Sequence, residues 1–221
     1  MAALNASTRK KEPSQKATLR RRQIVEATMR SIAKKGLSGT TLASVAKEAG
    51  LSQGVAVFYF NTKLELLAEV LRHLYQDYET AWRAAVERAE SDPLSQLLAM
   101  LRVDFEPPVC TPDALFIWHA FWGEAGSRPR YAAITEIFEA PRFAVLRGHC
   151  ASLLLDAGRA EEEAENLAIA LDSLSDGLWW RLYLSEGSMT PSHALSVIAS
   201  VLISHLPEQA AKIEAGLRQS P

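Results

Sequence analysis

The stretch Thr41 to Lys63, TLASVAKEAGLSQGVAVFYFNTK, constrains this chain most. Thr41 is a good N-cap, because its side-chain oxygen can accept from a free backbone N–H of a helix's first turn. Leu42, Val45 and Ala46 follow at helical spacing and give a short helix one apolar face. Gly50 can take positive φ without steric cost and stops that helix, and Leu51 plugs the corner. Ser52 is a second N-cap, opening another short helix through Gln53, Gly54, Val55, Ala56 and Val57. Two short helices joined by a glycine-bearing turn make a helix-turn-helix, unless they form an ordinary helical hairpin. In the former the second helix enters the major groove of DNA and the first crosses the backbone.

The spacing of these residues resembles the DNA-binding end of the TetR family. That family's pattern is T-x-x-x-[IV]-A-x-x-A-G-[VL]-S, a glycine two residues later, then Y-F-x-x-K. It is met here by Thr41, Val45, Ala46, Ala49, Gly50, Leu51, Ser52, Gly54, Tyr59, Phe60 and Lys63. Two positions depart from it: Val57 stands where the family usually has Tyr, and Phe58 where it often has His. The resemblance implies that Thr41, Tyr59 and Lys63 contact phosphates. It places Gln53, Gly54, Val55 and Val57 on the DNA-facing side, with Gln53, Val55 and Val57 toward base edges. Gln53 could pair bidentately with adenine, and Val57 could touch a thymine methyl but cannot donate a hydrogen bond.

Charge agrees with this without the resemblance. Residues 1–63 carry 12 Lys and Arg against 3 Asp and Glu, a net of +9, and the remainder carries a net of -11. A basic end suits phosphate, and an acidic bulk does not. A constitutive nucleoid-type binder would want positive charge throughout. The 221 residues are enough for a real core in one or two domains. Cys110 and Cys150 offer no disulfide framework and no metal spacing. The basic N-terminus shows no apolar signal-like run, and no segment approaches the roughly 20 apolar residues of a membrane span. A reducing, cytoplasmic setting and no membrane partner are expected.

Along the chain, residues 1–17 read as a flexible basic arm, either a solvated tail or a source of phosphate or minor-groove contacts through Arg9, Lys10, Lys11 and Lys16. Residues 18–63 form the DNA-binding unit. Its first helix is expected from Thr18 to Lys35, closed by Gly36, with Arg20, Arg21 and Arg22 crowding its first turn against the helix dipole. Phe58 and Phe60 are expected to help the three helices share a core. A long helix then runs from Lys63 to about Glu90, with Leu64, Leu67, Leu71, Leu74, Tyr78, Trp82 and Val86 as its stripe. It would reach on the order of 40 Å, long enough to touch both halves. Residues 64–207 read as all helix. Segments near 93–105, 113–125, 130–157, 160–185 and 190–205 are separated by Pro93, the Pro107-Pro108 pair with Pro112, a turn at 126–129, and the 185–190 stretch. Pro141 should kink or divide the third of these. Residues 208–221 are a tail with room for one short frayed helix. The expected architecture is all-α, about nine helices: a three-helix DNA-binding domain followed by a helical ligand-binding and dimerisation bundle.

The second half resembles the choline-responsive BetI branch of the family. That branch carries an A-W-x-A-F-W-like run and later D-G-L-W. Here stand Ile117, Trp118, His119, Ala120, Phe121 and Trp122, then Asp176, Gly177, Leu178 and Trp179, and the chain continues to His205, Leu206 and Pro207. The resemblance covers residues 18–207. It implies a repressor released from a palindromic operator by a small organic cation. Chemistry offers these residues a matching role, since tryptophan faces attract a quaternary ammonium and a carboxylate completes the cage. Trp118, Trp122, Asp176, Trp179, Trp180 and Tyr183 are the candidates, with Asp172 in the same helical register. A neutral aromatic or hydrophobic effector is the alternative, and each tryptophan taken singly suits an apolar core equally well. His119 reads as a core residue and Cys150 as a small buried hydrophobe.

The family places a homodimer interface on the last two long helices. Leu167, Leu171, Leu174 and Leu178 on one, and Leu195, Ile198, Val201 and Leu202 on the other, offer apolar stripes that could equally be ordinary core. No catalytic residues, metal ligands or cofactor site are expected. The chain shows no phosphate-cradling glycine loop, no G-x-S-x-G and no H-E-x-x-H. A small helical enzyme is the remote alternative, and it leaves the basic N-terminal end unexplained.

Overall fold

The computed structural model describes residues 15–125, 129–156, 158–185 and 187–218. Arg9, Lys10 and Lys11 of the expected arm and residues 126–128 of the turn expected at 126–129 lie outside them. The described residues form ten α-helices: α1 (Gln15–Gly39), α2 (Leu42–Glu48), α3 (Gln53–Tyr59), α4 (Lys63–Arg88), α5 (Pro93–Val103), α6 (Pro112–Ala125), α7 (Pro129–Asp156), α8 (Glu161–Leu184), α9 (Pro191–His205) and α10 (Ala210–Leu217). A 3₁₀ turn, Pro207–Gln209, leads into the last.

Local chemistry places the boundaries. Thr41 and Ser44 form a reciprocal capping box at the start of α2, at 3.1 and 2.9 Å. Ser52 caps α3, Thr62 caps α4 and Asp92 caps α5, with Pro93 at the first helical position. α1 begins at Gln15, so Arg20, Arg21 and Arg22 occupy its second turn rather than its first. They are also engaged within the protein. Arg21 donates to the Tyr59 carbonyl at 3.1 Å and lies 4.5 Å over the Phe60 ring, and Arg22 pairs with Glu26 at 2.8 Å. Gly36, at φ 69°, breaks α1 where its end was expected, and one more turn follows.

Helices this short depend on packing rather than on intrinsic stability. α1 covers α2 and α4, and Gln23 donates to the Ala49 carbonyl at 2.8 Å. Phe60 is buried in the shared core as expected. Phe58 is not: it is 79% exposed, because α3 turns only Ala56 fully inward. α4 buries Leu67, Leu71, Leu74, Tyr78 and Trp82, while Leu64 is exposed and Val86 half-buried. The helix packs on α1 at one end and on α5 and α7 along its length.

α7 is continuous through Pro141, which does not divide it. The proline is on the exposed side, where water can meet the carbonyl that loses its partner. Within its described residues the tail forms a packed helix rather than a frayed one. Ile213 and Leu217 of α10 are buried against α5 and α9, and Lys212 reaches the α5 cap Asp92 at 3.0 Å. A Cβ at Gly216 would stand 2.7 Å from Leu98 Cδ1, so the tenth helix is seated closely.

Candidate DNA-reading face and effector pocket

α3 presents Gln53, Gly54 and Val57 to solvent, with Val55 half-buried. Nothing inside the protein demands glycine at 54: a Cβ there would meet only Ser52 Oγ, at 3.9 Å. Thr41 is exposed beside this helix, and Tyr59 is half-buried. Lys63 Nζ donates to the Ser38 carbonyl at 3.2 Å on the exposed side. Phe58 stands among the exposed residues of α3, edge-on to Tyr59 at 5.2 Å. Its apolar character pointed to the core, and only the direction of α3 reveals it as part of the outer surface.

The pocket candidates divide into two groups. Trp118 and Trp122 of α6 meet Trp179 of α8, with all three ring centroids 6.0 Å apart. Tyr78 of α4 joins them at 5.9 and 6.0 Å. Asp176, one turn before Trp179, lines the same gap. Trp180 and Tyr183 do not. Adjacent residues on a helix point about 100° apart, so Trp179 turns inward and Trp180 outward, 49% exposed. Tyr183 lies a further turn along α8, beyond the gap. It lines a separate groove of about 460 Å³ with Phe116, Leu182 and Pro191. Trp180 and Tyr183 instead pack on His119, at 4.5 and 4.8 Å. His119 is a buried ring whose pKa is lowered by that burial, in keeping with a core role.

Charged groups that helical spacing did not single out complete the gap. Asp104, just past α5, accepts from Tyr78 Oη at 2.6 Å, and its carbonyl accepts from Trp179 Nε1 at 2.7 Å. Arg142 of α7 donates to Asp104 at 2.9 Å and to Asp172 of α8 at 2.5 Å. Glu139 stands one turn before it. Burial pushes the Glu139 carboxyl upward, Asp172 and Asp104 add to this, and Arg142 opposes it. Asp176 is exposed on its outer side, and its carboxyl is pushed up to about 7 first by lost hydration where it lines the gap, then by Asp172 and Glu139, again against Arg142. Charged neighbours at Arg102, Glu106 and Glu139 hide Asp104 and Arg142 in the sequence, where no local pattern marks either as buried.

The leucine stripes also require correction. Leu167, Leu171, Leu178, Leu195, Ile198 and Leu202 are all buried within the single chain, and Leu174 and Val201 are half-buried. These residues face the chain's own bundle, because α8 packs on α6 and α7, and α9 on α10. The apolar residues left exposed on α8 are Ile169, Trp180, Tyr183 and Leu184.

A helix-turn-helix with its second helix exposed, joined by one long helix to a bundle with an aromatic and acidic gap, defines a DNA-binding transcriptional regulator. Sequence comparison agrees. Residues 24–70 match the profile of bacterial regulatory proteins of the tetR family, and residues 93–207 that of the BetI-type transcriptional repressor C-terminal domain. The chain belongs to the TetR family and carries a BetI-type C-terminal domain. It is 34% identical over 179 residues to the transcriptional regulator BetI of Burkholderia thailandensis, covering 81% of this chain and 89% of that one. These relatives are regulators, not enzymes. The fold matches a transcriptional regulator from Pseudomonas aeruginosa PAO1, with a TM-score of 0.77 and 25% identity over 89% of this chain and 94% of that one. It also matches a regulator from Saccharomonospora viridis in complex with choline, with a TM-score of 0.75 and 21% identity over 85% and 97% of the two chains.

Proposed function

We propose that this protein is a homodimeric repressor, acting in the cytoplasm, that a small organic cation such as choline releases from a palindromic operator. The observation that carries the effector class is the convergence of Trp118, Trp122, Trp179 and Tyr78 on a gap lined by carboxylates. Aromatic faces and a carboxylate are what a quaternary ammonium needs once it leaves water. The choline complex of the Saccharomonospora viridis regulator and the BetI-type sequence match support the same class.

Release requires a change of geometry. The gap measures about 10 Å³, roughly the room one water needs. A cation therefore enters only as the surrounding helices part, favouring a conformation other than the closed one. α4 contributes Tyr78 to this gap and begins beside the reading helix, so it is the natural lever. On DNA, Thr41, Tyr59 and Lys63 meet phosphates, Gln53, Val55 and Val57 face bases, and Gly54 allows close approach. A second protomer doubles the contacts and matches a two-fold site with half-sites about 34–36 Å apart.

A neutral aromatic effector is the second reading, favoured by the apolar groove at Phe116, Leu182, Tyr183 and Pro191. Titrating choline into a complex of the protein with an operator selected from random duplexes separates the two. Choline is expected to weaken operator binding some 5- to 150-fold, the range of ordinary allosteric coupling. If millimolar choline neither releases the operator nor raises the melting temperature, the cation reading is wrong and the DNA-binding reading is untouched.

A further inference from the structure

The gap between the tryptophans already holds a cation of the protein's own. Arg142 is buried, its guanidinium carbon lies 5.4 Å from the centre of the Tyr78 ring, and its two terminal nitrogens bind Asp104 and Asp172. An aromatic face and carboxylates are the same partners an organic cation would seek. Arginine cannot discharge to make way, because its guanidinium stays protonated in proteins. The space left beside it is about 10 Å³. Arg142 Nε and Ser175 Oγ, both in residues lining this space, are buried without a hydrogen-bond partner among the described residues.

We infer that Arg142 is an internal stand-in for the effector. An entering organic cation takes over the carboxylates and aromatic faces, and the guanidinium leaves the clamp formed by Asp104 and Asp172. This rests on the cation reading proposed above and gives that reading its regulation. Arg142 ties α7 to α5 through Asp104, to α8 through Asp172 and to α4 through Tyr78. Its departure loosens α4, the helix that reaches the DNA-reading unit, from the bundle. The cost of displacing it is a tax on effector affinity, since only the fraction of protein with the clamp open can accept the ligand.

Choline binding measured by calorimetry on the full chain tests this. Arg142→Met keeps an unbranched stem, shorter than arginine's, and removes the competing charge. It is expected to bind choline on the order of tenfold tighter than wild type. Arg142→Lys keeps the charge and is expected to stay near wild type. Without ligand the methionine variant melts lower, because buried carboxylates lose their partner. Choline should then raise its melting temperature more than it raises that of wild type. If the methionine variant does not fold, Arg142→Gln, which can still donate to Asp104 without a charge, carries the same expectation. A folded neutral variant that binds choline no tighter than wild type overturns the inference, because a purely structural arginine would leave affinity unchanged or weakened. Failure of choline to bind any of these chains, wild type included, overturns the cation reading itself.

Discussion

Asp176 is the gap carboxylate on which the proposed cation reading can be tested most directly. Its carboxyl is held near 7, far above the ordinary 3.8. Below that value it carries a proton and offers a cation little. Choline affinity is therefore expected to rise as pH is raised from about 6 to about 8, with proton release on binding. Asp176→Asn should flatten the profile. Calorimetry at several pH values decides it, and an affinity independent of pH in wild type rejects the assignment. Stability without ligand has the opposite sign. Between 3.8 and about 7 the native carboxyl holds a proton that the unfolded chain has released, so stability falls as pH rises through that window. The facing groups Asp104, Glu139, Asp172 and Arg142 all act on this titration. Asp176 was legible because it falls in helical register with Trp179. Arg142 was not, because its partners lie 30 and 38 residues away in the chain.

Among the elements, we assign recognition to α3 and its connection to the gap to α4. Lys63→Ala is expected to weaken binding to every DNA sequence alike and to lower the salt slope by about one unit, as loss of a single phosphate contact should. Gln53→Ala should instead relax preference at one base pair per half-site, with about 1–3 kcal/mol of discrimination lost there. Fluorescence anisotropy across a salt series separates the two, and an unchanged slope in the lysine variant removes its phosphate role. The start of each of these helices was readable from Thr41, Ser52 and Thr62, since a cap involves only residues within one turn. α10 was not readable in the same way. Ile213 and Leu217 make it a stable helix only because α5 and α9 offer them a surface.

For the whole molecule, the faces that remain free once the bundle is packed decide assembly. Ile198 and Leu202 cannot serve as interface probes, since both are buried in the lone chain. Ile198→Ala should cost about 2–5 kcal/mol of stability whatever the oligomeric state. The outward residues Ile169 and Trp180 of α8 are the better probes. The pair Ile169→Glu and Trp180→Glu is expected to sediment as a monomer, to keep its helical circular dichroism and to lose operator affinity. A doubly substituted protein that still sediments as a dimer rejects this face.

The sequence alone determined what short-range chemistry controls: the helix starts set by Thr41, Ser52 and Thr62, the turn at Gly50, the stripe of α4 and the basic end. Each depends on residues within a few positions or on charge summed over a segment. Tertiary structure decided which side of each helix meets a partner. Trp179 and Trp180 are neighbours with the same chemistry, and the crossing of α6 over α8 sends one into the gap and leaves the other outside. The leucines of α8 and α9 suited a core or an interface equally, and the chain's own bundle took them. Asp104 sits just past the end of α5 and Arg142 in the middle of α7, and only the meeting of α4, α5, α7 and α8 makes them a pair. Such convergence depends on helix crossing angles, which arise from the packing of whole side-chain surfaces and not from any local run of residues.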